Sequence, residues 1–189
     1  MKILCPFTKL HPRTVEALNL HAPGAWFPYV GGSDFSYLTF LKQMWAEGKA
    51  TVIVEHDIEV GPETVPGVES CAEPWCVQPF SRLLPGPHST WDGQGWTNGV
   101  PLLTKSLGCV RFSEALMKAE PDLMVEVEGM EDGGVPAGHW RRLDDRIARV
   151  LEGRDYRVCV HVPEVKHHHD LRPRFNACSC GDSSCRPAA

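Results

Sequence analysis

The sequence predicts an α/β fold: a single-domain α/β/α sandwich around a mixed, mostly parallel sheet. Three observations carry that reading. Thr51-Val52-Ile53-Val54 is a continuous apolar, β-branched run with no polar alternation, as expected of a strand buried on both faces at the centre of a parallel sheet. Asp34 to Gly48 and His139 to Glu152 repeat apolar residues at helical spacing, the pattern of a helix with one buried stripe. Strand-like and helix-like stretches also alternate along the chain, the order that layers helices against a sheet.

Taken in order, Lys2 to Phe7 reads as a short buried strand, followed by a helix near Pro12 to Leu20 with Pro12 in its first turn, where a missing N–H is harmless. Ala22 to Ser33, rich in Gly, Pro and aromatic residues, reads as loop. Asp34 is placed to cap the next helix, Tyr37, Leu38, Leu41, Met44 and Trp45 form its stripe, and Gly48 ends it. After the Thr51–Val54 strand, residues 61–67 read as loop, and Cys71 to Phe80 holds a further strand. Pro85 to Gly99 reads as a long loop of the kind that is usually functional. Ser113 opens a short helix to Ala119, Leu123 to Val127 reads as a weak strand, and residues 129–138 as a Gly-rich turn. The second strong helix then runs to Gly153, and Tyr156 to Val162 is a final strand. Residues 1–170 form the catalytic domain in this reading, and residues 171–189 a Cys-rich C-terminal tail.

A chain of 189 residues suits one domain with a real core. A net charge of -5 argues against a broad basic surface for nucleic acid. No apolar run approaches the roughly 20 residues of a membrane-spanning helix, and Pro6 interrupts the first residues too early for a signal peptide, so a cytoplasmic protein with no membrane partner is expected. In a reducing compartment the 8 cysteines divide by setting. Cys5, Cys109 and Cys159 sit in apolar stretches and suggest packing, whereas Cys71, Cys76, Cys178, Cys180 and Cys185 sit in polar ones and suggest metal or nothing.

Glu55-His56-Asp57 follows the central strand directly. Ligand crevices of open α/β sheets lie at the carboxyl ends of strands, and carboxylates there suit Mg²⁺ or Mn²⁺. The plainer alternative is a polar pair opening a surface loop. Lys166-His167-His168-His169-Asp170 follows the last strand, and imidazole is a common ligand for Mn²⁺ and Zn²⁺; a solvated loop is the alternative. On the second strong helix Trp140, Leu143, Ile147, Val150 and Leu151 share a face that includes Asp144, whereas Asp145 neighbours Arg141 and Arg149 as a solvent ion-pair partner would. An acid on an apolar face is either paired structurally or used.

In sequence order these pieces resemble glycosyltransferases of the GT-A fold. Lys2 to Leu18 resembles their opening nucleotide-binding strand and loop, which places Pro6, Phe7 and Thr8 at a donor site. Val52 to Ile58 resembles the strand ending in their Asp-x-Asp metal motif, with Glu55 in the first carboxylate place. Thr104 to Phe112 resembles the acceptor-side segment, Asp144 falls where inverting members carry a catalytic base, and His167 to His169 fall where many members supply a late histidine to the metal.

The resemblance implies a metal-dependent glycosyltransferase. Asp57 with His167 or His169 would hold Mn²⁺ or Mg²⁺ against the diphosphate of a UDP- or GDP-linked nucleotide-sugar donor. Glu55 would orient the ribose or sugar, and Asp144 would deprotonate an acceptor hydroxyl, with sugar, protein or modified nucleic-acid base as open acceptors. Trp91 and Trp96 would stack on sugar or base, or simply anchor their loop. Cys178, Cys180 and Cys185 could supply most of a zinc site, with a fourth ligand from His169 or from Cys71 and Cys76. A metal-dependent hydrolase or nuclease built on the same carboxylates and histidines, and a zinc-stabilised binding module, are the competing classes.

Overall fold

A computed structural model describes residues 1–81, 102–162 and 164–168. Trp91, Trp96, His169, Cys178, Cys180 and Cys185 lie outside the described residues, as do the predicted long loop and the tail. In chain order the elements are β1 (Lys2–Leu4), α1 (Pro12–His21), α2 (Ser36–Ala46), β2 (Thr51–Val54), β3 (Ile58–Glu59), α3 (Thr64–Glu69), β4 (Trp75–Val77) and β5 (Phe80–Ser81). There follow β6 (Leu102–Leu103), β7 (Cys109–Phe112), α4 (Glu114–Ala119), α5 (Leu123–Gly129), α6 (Leu143–Gly153), β8 (Cys159–Val160) and β9 (Lys166–His167).

The central sheet has the order β1-β2-β7-β4-β8. β1 and β2 are parallel, as are β4 and β8, while β7 runs antiparallel to both β2 and β4; β7 is therefore the one reversed strand of a mostly parallel sheet. The expected α/β class holds; β2 is fully buried as its unbroken apolar run requires, though it is the second strand, parallel to β1 alone, and β7 is the central one. Strand alternation sorts side chains to two faces. Ile53, Trp75, Val77, Val110 and Phe112 pack with apolar residues of α2, α4, α5 and α6. Val52, Val54, Cys76 and Cys109 pack with Ala17 and Leu18 of α1 and Val65 and Val68 of α3. Burying each large apolar side chain in these layers contributes about 1.5–3 kcal/mol.

Five local expectations are corrected, the first at residues 61–67, expected as loop, where the helix α3 begins at Thr64. Leu123–Val127 is helical, not a strand: Leu123, Met124 and Val127 are buried while Val125 is 56% exposed, a helical period that overrides the β-branched pair. The second strong helix begins at Leu143, after Arg142 adopts a left-handed φ of 56° that ends any upstream continuation. Trp140 is consequently 43% exposed rather than part of the buried stripe. Its indole N–H donates to Asp34 Oδ1 (3.1 Å), so Asp34 serves this contact, and the N-cap of α2 is Phe35, with no side-chain cap bond. The last strand shrinks from Tyr156–Val162 to Cys159–Val160.

The loop before α2 carries more order than its composition suggests. Residues 26–30 lie alongside β1 and its continuation, with Cys5 N–H donating to Trp26 C=O (2.8 Å) and Phe7 N–H to Pro28 C=O (3.0 Å). Pro28 offers only a carbonyl, which suits an edge. Gly48, at φ 60°, ends α2 as expected.

Candidate active site

At the carboxyl end of β2 the chain turns at once. Ile58 N–H donates to Glu55 C=O (3.1 Å), closing a turn over His56 and Asp57, and Glu55 N–H donates to Gly108 C=O (2.8 Å). The turn is held from two further sides. His11 N–H donates to His56 C=O (2.9 Å), and His168 N–H donates to Asp57 C=O (2.8 Å). β3 then pairs antiparallel with β9, placing Ile58 opposite His167 and Glu59 opposite Lys166.

This pairing brings together two of the residues singled out from the sequence. His167 Nε2 lies 3.1 Å from Asp57 Oδ2, with side-chain exposures of 6% and 14%. Burial pushes the Asp57 carboxyl up, but the hydrogen bond and charge of His167, aided by His56, outweigh it and hold the group below its ordinary value. Asp57 Oδ1 is buried and has no hydrogen-bond partner among the described residues. A buried carboxylate oxygen left without a donor is costly, and a hard divalent cation is the partner that such an oxygen and an adjacent imidazole fit. The pair thus offers one carboxylate oxygen and one imidazole, donor types that Mn²⁺ or Mg²⁺ accepts, while His167 and Asp57 already pair with each other.

The supports around this pair carry almost no signal in the sequence. Phe80 packs on the His167 ring, with centroids 5.0 Å apart, and a Cβ on Gly108 would be driven into the Phe80 ring. His168 Nε2 lies 2.8 Å from Glu59 Oε2, and its ring stacks on His11 at 4.0 Å. Burial lowers the His168 pKa and His11 adds to that, against the Glu59 carboxylate. His11 caps α1, its Nδ1 accepting from Arg13 N–H (3.1 Å); a His-Pro pair opening a helix was its only signal.

Glu55 points elsewhere. Tyr37 Oη donates to Glu55 Oε1 (3.4 Å), and burial together with the negative charges of Glu55 and Asp144 holds the Tyr37 phenol well above its usual pKa. Asp144 is thus close enough to Tyr37 to act on it electrostatically. It sits half-buried in the first turn of α6, with Oδ1 accepting from Asp145 N–H (3.0 Å). Arg149, expected beside Asp145, instead pairs with Asp132 (3.0 Å). Tyr37 had read only as part of the helical stripe of α2.

Of the expected donor residues, Pro6 is buried, Phe7 half-buried and Thr8 exposed, all just past the carboxyl end of β1, which pairs in parallel with β2. Phe7 meets Tyr29 edge to face at 5.5 Å. Cys5, in the same stretch, has its thiol pushed up to about 12 by burial and by Asp57 and Glu55. Pro6 to Thr8, Glu55 and Asp57 therefore cluster at one edge of the sheet, with Asp144 across Tyr37.

No family model and no curated protein matches the chain. Among solved structures it is similar to a glycosyltransferase involved in the glycosylation of the major capsid of PBCV-1, at 14% identity and a TM-score of 0.48, over 85% of this chain and 81% of that one. It is also similar to a protein from Bacillus anthracis provisionally assigned as a glucose-1-phosphate thymidylyltransferase, at 11% identity and a TM-score of 0.41, over 87% and 67% of the two chains. A third, from Desulfovibrio desulfuricans G20 and provisionally assigned as a nucleotide-diphospho-sugar transferase, gives 11% identity and 0.40 over 95% and 71%. Among the described residues no helix is long and apolar enough to cross a membrane.

Proposed function

We propose that the protein is a metal-dependent glycosyltransferase that moves a sugar from a nucleotide-sugar donor to an acceptor hydroxyl. The observation that carries the reading is the buried Oδ1 of Asp57, unpartnered among the described residues, beside His167 at the carboxyl edge of the sheet.

Asp57 and His167 would hold Mn²⁺ or Mg²⁺, which when bound supplies positive charge to the departing diphosphate. The turn through His56 and the β3–β9 pairing fix both side chains before any ligand arrives, so little ordering remains to be done on binding. Pro6, Phe7 and Thr8 would line the nucleotide, with the Phe7 and Tyr29 rings as an apolar wall. Glu55, oriented by Tyr37, would accept from a hydroxyl of the ribose or sugar. Asp144 would take the proton of the acceptor hydroxyl as its oxygen attacks the anomeric carbon and the sugar–phosphate bond breaks.

A screen of UDP- and GDP-sugars for Mn²⁺-dependent donor hydrolysis tests the reading. The expected result is slow release of nucleoside diphosphate from one donor, lost in Asp57→Asn and His167→Ala and reduced in Glu55→Gln. Donor turnover that survives removal of metal and both substitutions would overturn it. Cleavage of phosphodiesters with no response to any sugar nucleotide would point instead to a hydrolase.

A further inference from the structure

A second cluster of potential ligands lies on the other side of the sheet's centre, at the β4–β8 edge, and has no part in the chemistry above. Among the described residues, the ligand atoms of Cys71, Cys76 and His161 all lie within 4.8 Å of one another. Cys159 lies beside this group: its Sγ is 3.8 Å from His161 Nε2, and it is near enough to Cys71 and Cys76 to interact with them electrostatically.

The fold explains why these residues converge. Cys71 follows the end of α3, and Cys76 is the middle residue of β4, with its Sγ 3.9 Å from Val68 C=O of α3. β8 pairs in parallel with β4 so that Cys159 is the direct register partner of Cys76. His161 follows Cys159 by two residues and therefore returns to the same side of the strand, where its N–H donates to Val77 C=O (2.9 Å). Tetrahedral zinc with Zn–S near 2.3 Å and Zn–N near 2.0–2.1 Å spaces its donor atoms roughly 3.5–3.8 Å apart, the scale of the Cys159–His161 separation.

A second observation points the same way. Arg111 on β7 is the register partner of Cys76, is only 9% exposed, and bears electrostatically on both Cys76 and His161. One of its amino groups donates to Glu73 C=O (3.0 Å), yet its Nε is buried without a partner among the described residues, none of which forms an ion pair with it. Neutral thiols offer a buried guanidinium no charge to pair with. Three thiolates and an imidazole around Zn²⁺ leave one net negative charge, which would face that cation.

We propose that Cys71, Cys76, Cys159 and His161 form a structural zinc site, with Arg111 as its neutralising neighbour. All four positions of the ion are filled by protein, so it carries no substrate. Each thiol gives its proton to solvent as its sulfur lone pair binds the ion. The ion fastens the two-residue edge strand β8 to β4 and to the end of α3, and so anchors the segment that leads on to His167.

Zinc content and zinc-edge X-ray absorption of the full chain, purified under reducing conditions, test this. The expected result is one zinc per chain bound by three sulfurs and one nitrogen. Cys159→Ser and His161→Ala should each abolish stoichiometric zinc, whereas Asp57→Asn and a variant with Cys178, Cys180 and Cys185 all changed to Ser should retain it. Absence of zinc, fewer than three sulfurs, loss of zinc with the tail cysteines, or a disulfide among Cys71, Cys76 and Cys159 by intact mass would overturn the proposal. The absorption measurement needs no variant, so it decides the matter even if a substituted chain fails to fold.

Discussion

Replacing Asp57 by Asn keeps the shape of the side chain and removes its charge. In the structure Oδ2 has one partner, His167 Nε2 at 3.1 Å, and Oδ1 has none among the described residues. The substitution therefore disturbs one charge-assisted hydrogen bond, at a cost of about 1.5–3 kcal/mol without metal. For a chain of this size that is a fall in Tm of roughly 3–12 °C, since each kcal/mol shifts it about 2–4 °C. Metal binding behaves differently. Mn²⁺ at 100 times its Kd should stabilise the native chain by about 2.7 kcal/mol, or roughly 5–11 °C, and Asn in place of the carboxylate should remove nearly all of that. Differential scanning fluorimetry of both chains across an Mn²⁺ titration gives both numbers. A variant that keeps the full Mn²⁺ shift would refute Asp57 as a ligand. A variant that loses more than about 3 kcal/mol before metal is added would show instead that the pair with His167 is structural.

Gly108→Ala should push Phe80 off His167, costing about 1–3 kcal/mol in urea unfolding, and should weaken Mn²⁺ binding although residue 108 touches no metal. Tyr37→Phe removes the donor to Glu55 and should cost about 0.5–1.5 kcal/mol while raising the donor KM more than it lowers stability. Arg146 is fully buried and donates to the carbonyls of Val135, Pro136 and His139; Arg146→Met should cost about 3 kcal/mol or more by denaturant midpoint, because those acceptors are left unpaired. Burial pushes the Cys109 thiol up to about 12, as it does Cys5, so neither should react with a thiol reagent near neutral pH until the chain unfolds, as mass spectrometry of labelled peptides would record.

The parts of this fold that the sequence disclosed are those where one physical signal has no rival. Four consecutive buried residues left β2 no other reading, and Gly48 marked the end of α2 because its left-handed conformation is one that few other residues adopt. Leu123–Val127 misled because a short segment with two valines satisfies both a strand and one and a half helical turns, and packing against α6 decided between them. The site shows the same division. Glu55, Asp57 and the histidine run were visible as ionisable residues at strand ends. What they do depends on tertiary placement: the β3–β9 pairing gives Asp57 to His167, while the preceding helix α2 gives Glu55 to Tyr37. Cys159 was taken for packing because its apolar neighbours hid its alignment with Cys76, a relation set by strand pairing alone.

The Asp57–His167 contact joins positions 110 residues apart. No local stretch of the chain can form the crevice, and closing so long a loop carries an entropic cost that only the finished sheet can repay. The pairing that holds it is two residues on each strand, so β9 is bound to open more readily than the fully buried β2. Affinity measured at this site therefore contains the fraction of molecules in which β9 is docked. A substitution at the β8 edge, far from the Asp57–His167 pair, can change that affinity by shifting the docked fraction while leaving every contact in the docked state intact.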